Sequence, residues 1–185
     1  SGSAEVQFSV AFAHYAGSGS DQYGDSSTNP GNLVGETRAI YNALTNLLME
    51  ETEASGGFKI SANGTSGVHG TTKAKDEYIY VLVGKRARFK DRMNKKVWTL
   101  ALSGRNTVND ASSIIYLTDD SSTQPAIATP GGLRHNIVSG ALGVAADGLP
   151  ASTKTYGWFY PEMGMMVFSG AELSSSLPGP ADFVA

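Results

Sequence analysis

One stretch of this chain carries helical periodicity, and that restricts the fold more than any other feature. Between Glu36 and Glu53, Ile40, Tyr41, Leu44, Leu47 and Leu48 recur at helical spacing and form one apolar stripe. Arg38, Asn42 and Asn46 lie off that stripe, and Gly56-Gly57 stops it. Elsewhere the apolar residues alternate or run in short blocks. Val6, Phe8, Val10 and Phe12 alternate within 5–13, the period-2 pattern of a half-buried strand. Tyr78 to Val83 reads Y-I-Y-V-L-V, aromatic and β-branched in character, and is the strongest strand signal. Phe58–Ser61, Lys96–Leu102, Ser113–Thr118, Leu133–Ser139, Tyr156–Tyr160 and Met165–Ser169 read as further strands. Strands roughly 10 to 20 residues apart, with Gly-rich turns and one main helix at about 36–53, predict a β-rich α+β fold of mostly antiparallel strands. Alternating βαβ units are not predicted.

The length of 185 residues suits one domain. No internal repeat or linker divides it, so 1–185 is read as a single β-rich domain. Residues 14–35, rich in Gly, Ser, Asp and Asn, form a long loop of the kind that is functional or is ordered by a partner. The tail 174–185, with Pro178 and Pro180, reads as extended or docked on a neighbour. Glu50, Glu51 and Glu53 close the predicted helix at the unfavourable pole of its dipole, a cost of a few tenths of a kcal/mol, about 0.3, unless a cation pairs with them.

The motifs of common chemistries are missing. With no Cys, the chain has no disulfide framework, thiolate metal site or thiol chemistry. Gly84-Lys85 lacks the spacing of a phosphate loop, and Gly17-Ser18-Gly19 has Gln22 where a dinucleotide fingerprint needs glycine. No serine sits in a Gly-x-Ser-x-Gly elbow. His14, His69 and His135 are isolated from other ligand types and read as loop or surface histidines. Asp119-Asp120-Ser121-Ser122 offers oxygens to calcium, but adjacent carboxylates at a strand end more often make a turn. Asn63-Gly64-Thr65 fits a glycosylation acceptor and, first, a turn. No catalytic residue, metal ligand or cofactor is assigned, and the chain reads as non-enzymatic.

The charge is low and unevenly placed. Only 17% of residues are charged, against about a quarter in average domains, and the net charge is -3. Yet Lys85, Arg86, Arg88, Lys90, Arg92, Lys95 and Lys96 supply seven of the 14 Lys and Arg residues, opposed within the strip by Asp91 alone. Such a strip fits a contact with an acidic protein surface, or with the acidic helix end at Glu50 to Glu53. Nucleic acid fits it less well, because Phe89 is the one aromatic available for stacking. The late block Tyr156 to Met166 is rich in aromatics and Met. Most of it reads as core, with Tyr156, Trp158 and Tyr160 as possible interface aromatics. The apolar run Tyr78–Val83 is far too short to cross a membrane, and with no basic residue before Arg38 a secretory leader is not expected.

Four segments, in order, carry a family resemblance. They are S-V-A-F-A-H-Y-A-G-S-G-S at Ser9–Ser20, T-R-A-I-Y-N-A-L-T-N-L-L at Thr37–Leu48, Y-I-Y-V-L-V-G-K-R-A-R-F-K-D-R-M at Tyr78–Met93 with W-T-L-A-L-S at Trp98–Ser103, and H-N-I-V-S-G-A-L-G at His135–Gly143 with Y-G-W-F-Y-P-E-M-G-M-M-V at Tyr156–Val167. Together they resemble virion structural proteins of T4-like contractile-tailed bacteriophages, notably marine ones. The resemblance implies a tail or baseplate component located in the virion. It further implies several symmetric copies in contact with other virion subunits, and it carries over no catalytic residue. Two other readings compete. One is a carbohydrate- or surface-binding β module with a groove lined by Tyr156, Trp158, Tyr160 or Trp98. The other is a small hydrolase with an unrecognised triad.

Overall fold

Strands that are apolar on both faces need cover on both sides, and this requirement organises the molecule. The structure, a computed structural model, describes residues 7–18, 35–60, 75–89, 91–103, 114–146 and 154–179. In chain order the elements are β1 (Phe8–His14), α1 (Glu36–Leu48), α2 (Glu51–Ala54), β2 (Tyr78–Gly84), β3 (Leu100–Leu102), β4 (Ile115–Asp119), β5 (Ile127–Thr129), β6 (Gly132–Ala141), β7 (Val144–Ala145), β8 (Thr155–Tyr160) and β9 (Met165–Ser169). The strands form one sheet, curled as a half-barrel, in the order β1-β2-β9-β8-β6-β4-β3. The short strands β5 and β7 pair with β6 off that path. All pairings among the described residues are antiparallel. The fold is thus β-rich and antiparallel, as the spacing of the strand signals predicts.

Alternation along the central strands sends side chains into two cores. Ile79 and Val81 of β2, Trp158 and Tyr160 of β8, and Met165 and Val167 of β9 face α1, where they meet Tyr41, Leu48, Phe58 and Ile60. Tyr80, Phe159, Met166 and Phe168, from the same three strands, face the other way with Leu117, Ile137 and Leu173. Burial on both faces is why β2, β8 and β9 read as unbroken apolar runs. The second face is covered by Met93 and Trp98, ahead of β3, and by Leu173 and Leu177, after β9. Trp98 meets Phe159 edge-on at 5.4 Å between ring centroids. The described part of the tail lies against its own sheet, where Tyr80 Oη donates to the Pro178 carbonyl at 2.8 Å.

The helix departs from its predicted span. α1 ends at Leu48, Met49 is extended, and α2 starts at Glu51. The buried stripe of α1 is Thr37, Tyr41, Thr45 and Leu48, whereas Leu47 is exposed. Met49 follows Thr45 at the i+4 spacing, so it keeps to the face of that stripe and stays buried although its backbone leaves the helix. The break also changes the electrostatics of the acidic cluster. Glu51 and Glu53 lie in the first turn of α2, the pole that favours carboxylates.

Two predicted strands are shorter or of another kind. Phe58 and Ile60 are buried in extended chain without a strand ladder, and residue 61 lies outside the described residues. Their N–H groups go instead to Tyr41 Oη (2.9 Å) and Asp76 Oδ2 (2.6 Å). In the Lys96–Leu102 stretch only Leu100–Leu102 pairs. Lys96 has φ 68, and its N–H donates to Asp119 Oδ2. Residues 19–34 of the predicted long loop and 180–185 of the tail also lie outside the described residues. Among the described residues no helix is long and apolar enough to cross a membrane.

Asp76 joins the helix layer to the sheet. It is buried; its Oδ2 accepts from Ile60 N–H and its Oδ1 from Ser169 Oγ of β9. Its carbonyl accepts from Tyr41 Oη at 2.7 Å, and its N–H donates to the Phe58 carbonyl. Gly57 has φ +69, and a Cβ there would lie 2.7 Å from Tyr41 Oη, so glycine keeps that hydroxyl in place. Removing a buried acceptor leaves its donors unsatisfied. Asp76→Ala is therefore expected to lower stability by about 3 kcal/mol in urea unfolding. A change below about 0.5 kcal/mol would show that the network is not coupled to the fold.

Candidate functional site

The basic strip is a folded cover on the second face of the sheet. After β2 the chain makes a 3₁₀ turn at Arg86–Arg88, with Arg88 N–H donating to the Lys85 carbonyl. Lys85 N–H donates to the Gln7 carbonyl at 2.9 Å. Arg86 Nη1 donates to the Glu162 carbonyl at 2.9 Å, and its guanidinium lies 5.1 Å from the Phe89 ring. The Phe89 ring packs on Gly164, where φ is +65 and a Cβ would lie 2.1 Å from the ring. Met93 N–H donates to the Pro161 carbonyl at 2.8 Å. These contacts fix the strip to the turn between β8 and β9.

The cations of the strip divide into groups. Lys85, Arg88 and Arg92 line a groove of about 690 Å³ together with Phe8, Phe89 and Trp98. Arg86 is engaged with Glu162 and not with the acidic end of the helix. Lys95 and Lys96 lie beside His135, near Asp119. Lys90 lies outside the described residues. Phe8 and Trp98 are groove walls that the strip alone does not reveal. They come from β1 and from the segment before β3, and only the pairing of β1 with β2 brings Phe8 to Gly84.

A second groove, of about 820 Å³, runs between β4, the β6–β7 hairpin and the tail. Ile115, Tyr116, Ala141, Val144 and Ser175 are among its walls. Leu142 and Val144, at the hairpin, are 63% and 68% exposed.

The late aromatics lie mostly inside. Tyr160 is fully buried and Trp158 nearly so, because both face α1. Their burial corrects the expectation that they present a surface. Arg134 of β6 stacks over Trp158 at 3.9 Å, and the pair borders a cavity of about 360 Å³ with Glu53, Lys59 and Asn136. Burial pushes the Tyr160 phenol pKa up while Arg134 opposes the rise. Tyr160 Oη and Arg134 Nε nevertheless complete no hydrogen bond. Tyr156 is half-buried on the opposite face, with Lys154 Nζ 5.2 Å from its ring centroid. The three aromatics therefore do not form one groove.

No known protein family, curated protein or solved structure matches the chain.

The Asp119-Asp120 pair is tied into the fold by hydrogen bonds. Asp119 and Asp120 are buried at the end of β4. Asp119 accepts from Lys96 N–H, Ser121 N–H and Ser121 Oγ. Asp120 accepts from Asn136 N–H at 3.0 Å and Nδ2 at 2.9 Å. Their oxygens make the turn. Among the described residues no group of three His, Cys, Asp or Glu converges as metal ligands. His69 and Asn63-Gly64-Thr65 lie outside the described residues.

His14 and His135 are buried, which corrects their reading as loop or surface histidines. His14 closes β1; its Nδ1 accepts from Ala16 N–H at 3.0 Å and its ring stacks on Tyr78. Both nitrogens of His135 lack a hydrogen-bond partner, so no relay to a serine or aspartate is assembled on it. Burial lowers the His135 pKa below its usual 6.5, with Lys95 adding to the fall; Asp120 and Asp119 oppose it, and Lys96 lowers it further. The neutral ring is thus the form the fold favours. Its contribution is complete above the unfolded pKa of about 6.5 and is lost as pH falls toward the depressed folded value. The urea midpoint of the protein is expected to fall below about pH 6.5, and His135→Leu to flatten that fall. An unchanged pH profile in His135→Leu would remove the residue from the account.

Proposed function

We propose that this chain is a non-enzymatic structural subunit of a phage particle, in the tail or baseplate, acting through protein–protein interfaces. The observation that carries the proposal is the placement of exposed large apolar side chains at two separate parts of one sheet. Phe8 and Val10 lie on β1 at one end of the strand order, at 51% and 60% exposure. Tyr116, Leu142 and Val144 lie toward the other end, beside the second groove. Clustered exposed apolar groups mark contact surfaces, and two such regions suit a subunit with a neighbour on each side. The basic strip adds a charged edge of the kind that orients association. The resemblance to virion proteins of contractile-tailed phages supplies the particle, and a homo-oligomer or other symmetric assembly follows from it. On this reading the chain is made in the host cytoplasm and resides in the virion. The carbohydrate-binding alternative loses support, because Trp158 and Tyr160 are held in the core.

Antibody against the chain is expected to decorate the tail or baseplate of purified contractile-tailed particles. A chain recovered only free of particles, as a monomer at all concentrations, overturns the proposal. Burying a Val or Leu side chain contributes about 1.5–3 kcal/mol, and 1.4 kcal/mol is about tenfold in affinity. Leu142→Glu combined with Val144→Glu is therefore expected to weaken association by tenfold or more in sedimentation velocity, with the fold retained by circular dichroism.

A further inference from the structure

We propose that the outer edge of β1 at Phe8–Val10, with the basic groove beside it, takes an extended acidic segment of a neighbouring protein as an added strand. The inference rests on the reading of the chain as an assembly subunit and names the chemistry of one partner.

Backbone register decides which groups are available. Gln7 pairs with Lys85 through a Lys85 N–H to Gln7 carbonyl bond, and Tyr15 N–H donates to the Glu77 carbonyl in the same register. In an antiparallel ladder, residues alternate between exchanging bonds with the partner strand and pointing them away. Odd-numbered residues of β1 therefore face β2, and Phe8 and Val10 direct their N–H and carbonyl groups outward. Among the described residues no strand pairs with that side of β1. An edge of this kind is a template for strand addition, in which main-chain bonds supply affinity and alternate side chains supply specificity.

The side-chain surroundings select the occupant. The groove at Phe8 has apolar walls from Leu82, Met93 and Val97 and cations at Lys85 and Arg92, with Asp91 as the opposing charge. Phe8, Val10 and the cations share one face, since Val10 pairs with Leu82 of the groove, so a segment alternating apolar and acidic residues turns its carboxylates to that face and its apolar side chains to the opposite face, that of Ala11 and Ala13. A second copy of β1 fits poorly, because antiparallel pairing of two copies brings two basic grooves to one seam. Nucleic acid fits poorly too. Trp98 already packs on Phe159, and Phe89 on Gly164, so neither ring is free as a stacking platform.

The test is fluorescence anisotropy with a short labelled peptide alternating Val and Glu, titrated with the full chain. Binding is expected to weaken as ionic strength rises. Arg92→Glu is expected to weaken it roughly tenfold. Val10→Pro removes an outward N–H without removing a bond to β2, and is expected to weaken it roughly fivefold. A peptide N-methylated at alternate amides tests the same main-chain bonds without altering the protein, and is expected to lose binding. The site is overturned if the Val–Glu peptide does not bind. It is also overturned if a Val–Lys peptide or a single-stranded oligonucleotide binds as tightly, or if N-methylation has no effect. Particle-borne chain without peptide binding overturns this site alone. Peptide binding by a chain never found on particles overturns the assembly reading and leaves the site standing.

Discussion

A buried carboxylate holds the two layers of this protein together. Asp76 stands just ahead of β2 and reaches the extended segment at Ile60 and strand β9 at Ser169, while its backbone meets Tyr41 and Phe58. Burying a charge is costly unless it is saturated with donors. Here the donors come from elements far apart in the chain, so one residue links the helix, the crossing segment and the centre of the sheet. Tyr41 extends the link. Its hydroxyl donates to Asp76 and accepts from Phe58, and burial pushes its pKa well up, so it stays a neutral phenol.

With that joint made, the sheet is covered unevenly. Its centre is buried on both faces, by α1 on one and by the strip and tail on the other. Cover thins toward β1, where Phe8 and Val10 are exposed, and at the β6–β7 hairpin beyond β4. The proposed role as an assembly subunit rests on this incomplete cover. A low overall charge has the same sense, since a charge-poor surface is better suited to contact with other protein than to permanent hydration.

The basic strip changes meaning when seen folded. In sequence it is a run of cations. In the structure its Met93 packs on the second core, and its charges separate: Arg86 goes to the Glu162 carbonyl, Lys95 and Lys96 to the surroundings of His135, and Lys85, Arg88 and Arg92 to the groove. Lys85 and Arg86, adjacent in sequence, do not share one site, because the 3₁₀ turn points successive side chains in different directions.

Strand signals, their spacing and the Gly-rich turns between them marked where the central strands run and that the fold is β-rich and antiparallel, because β-branched and aromatic runs and turn residues are local signals. Periodicity also marked Glu36–Leu48 as helical. The same signals misjudged what depends on a partner. Leu47 matches the stripe but lies on the exposed side, the helix breaks at Met49 short of its predicted end, and the N–H groups of Phe58 and Ile60 go to side chains and not to a strand. Local pattern says which side chains share a face and says nothing about what covers that face. Only the tertiary structure decided that Trp158, Tyr160 and His135 are interior, that a lone aspartate at position 76 joins the layers, and that Phe8 and Trp98 complete a groove begun by distant cations. Those facts arise from strand order and long-range packing, which no window of the sequence contains.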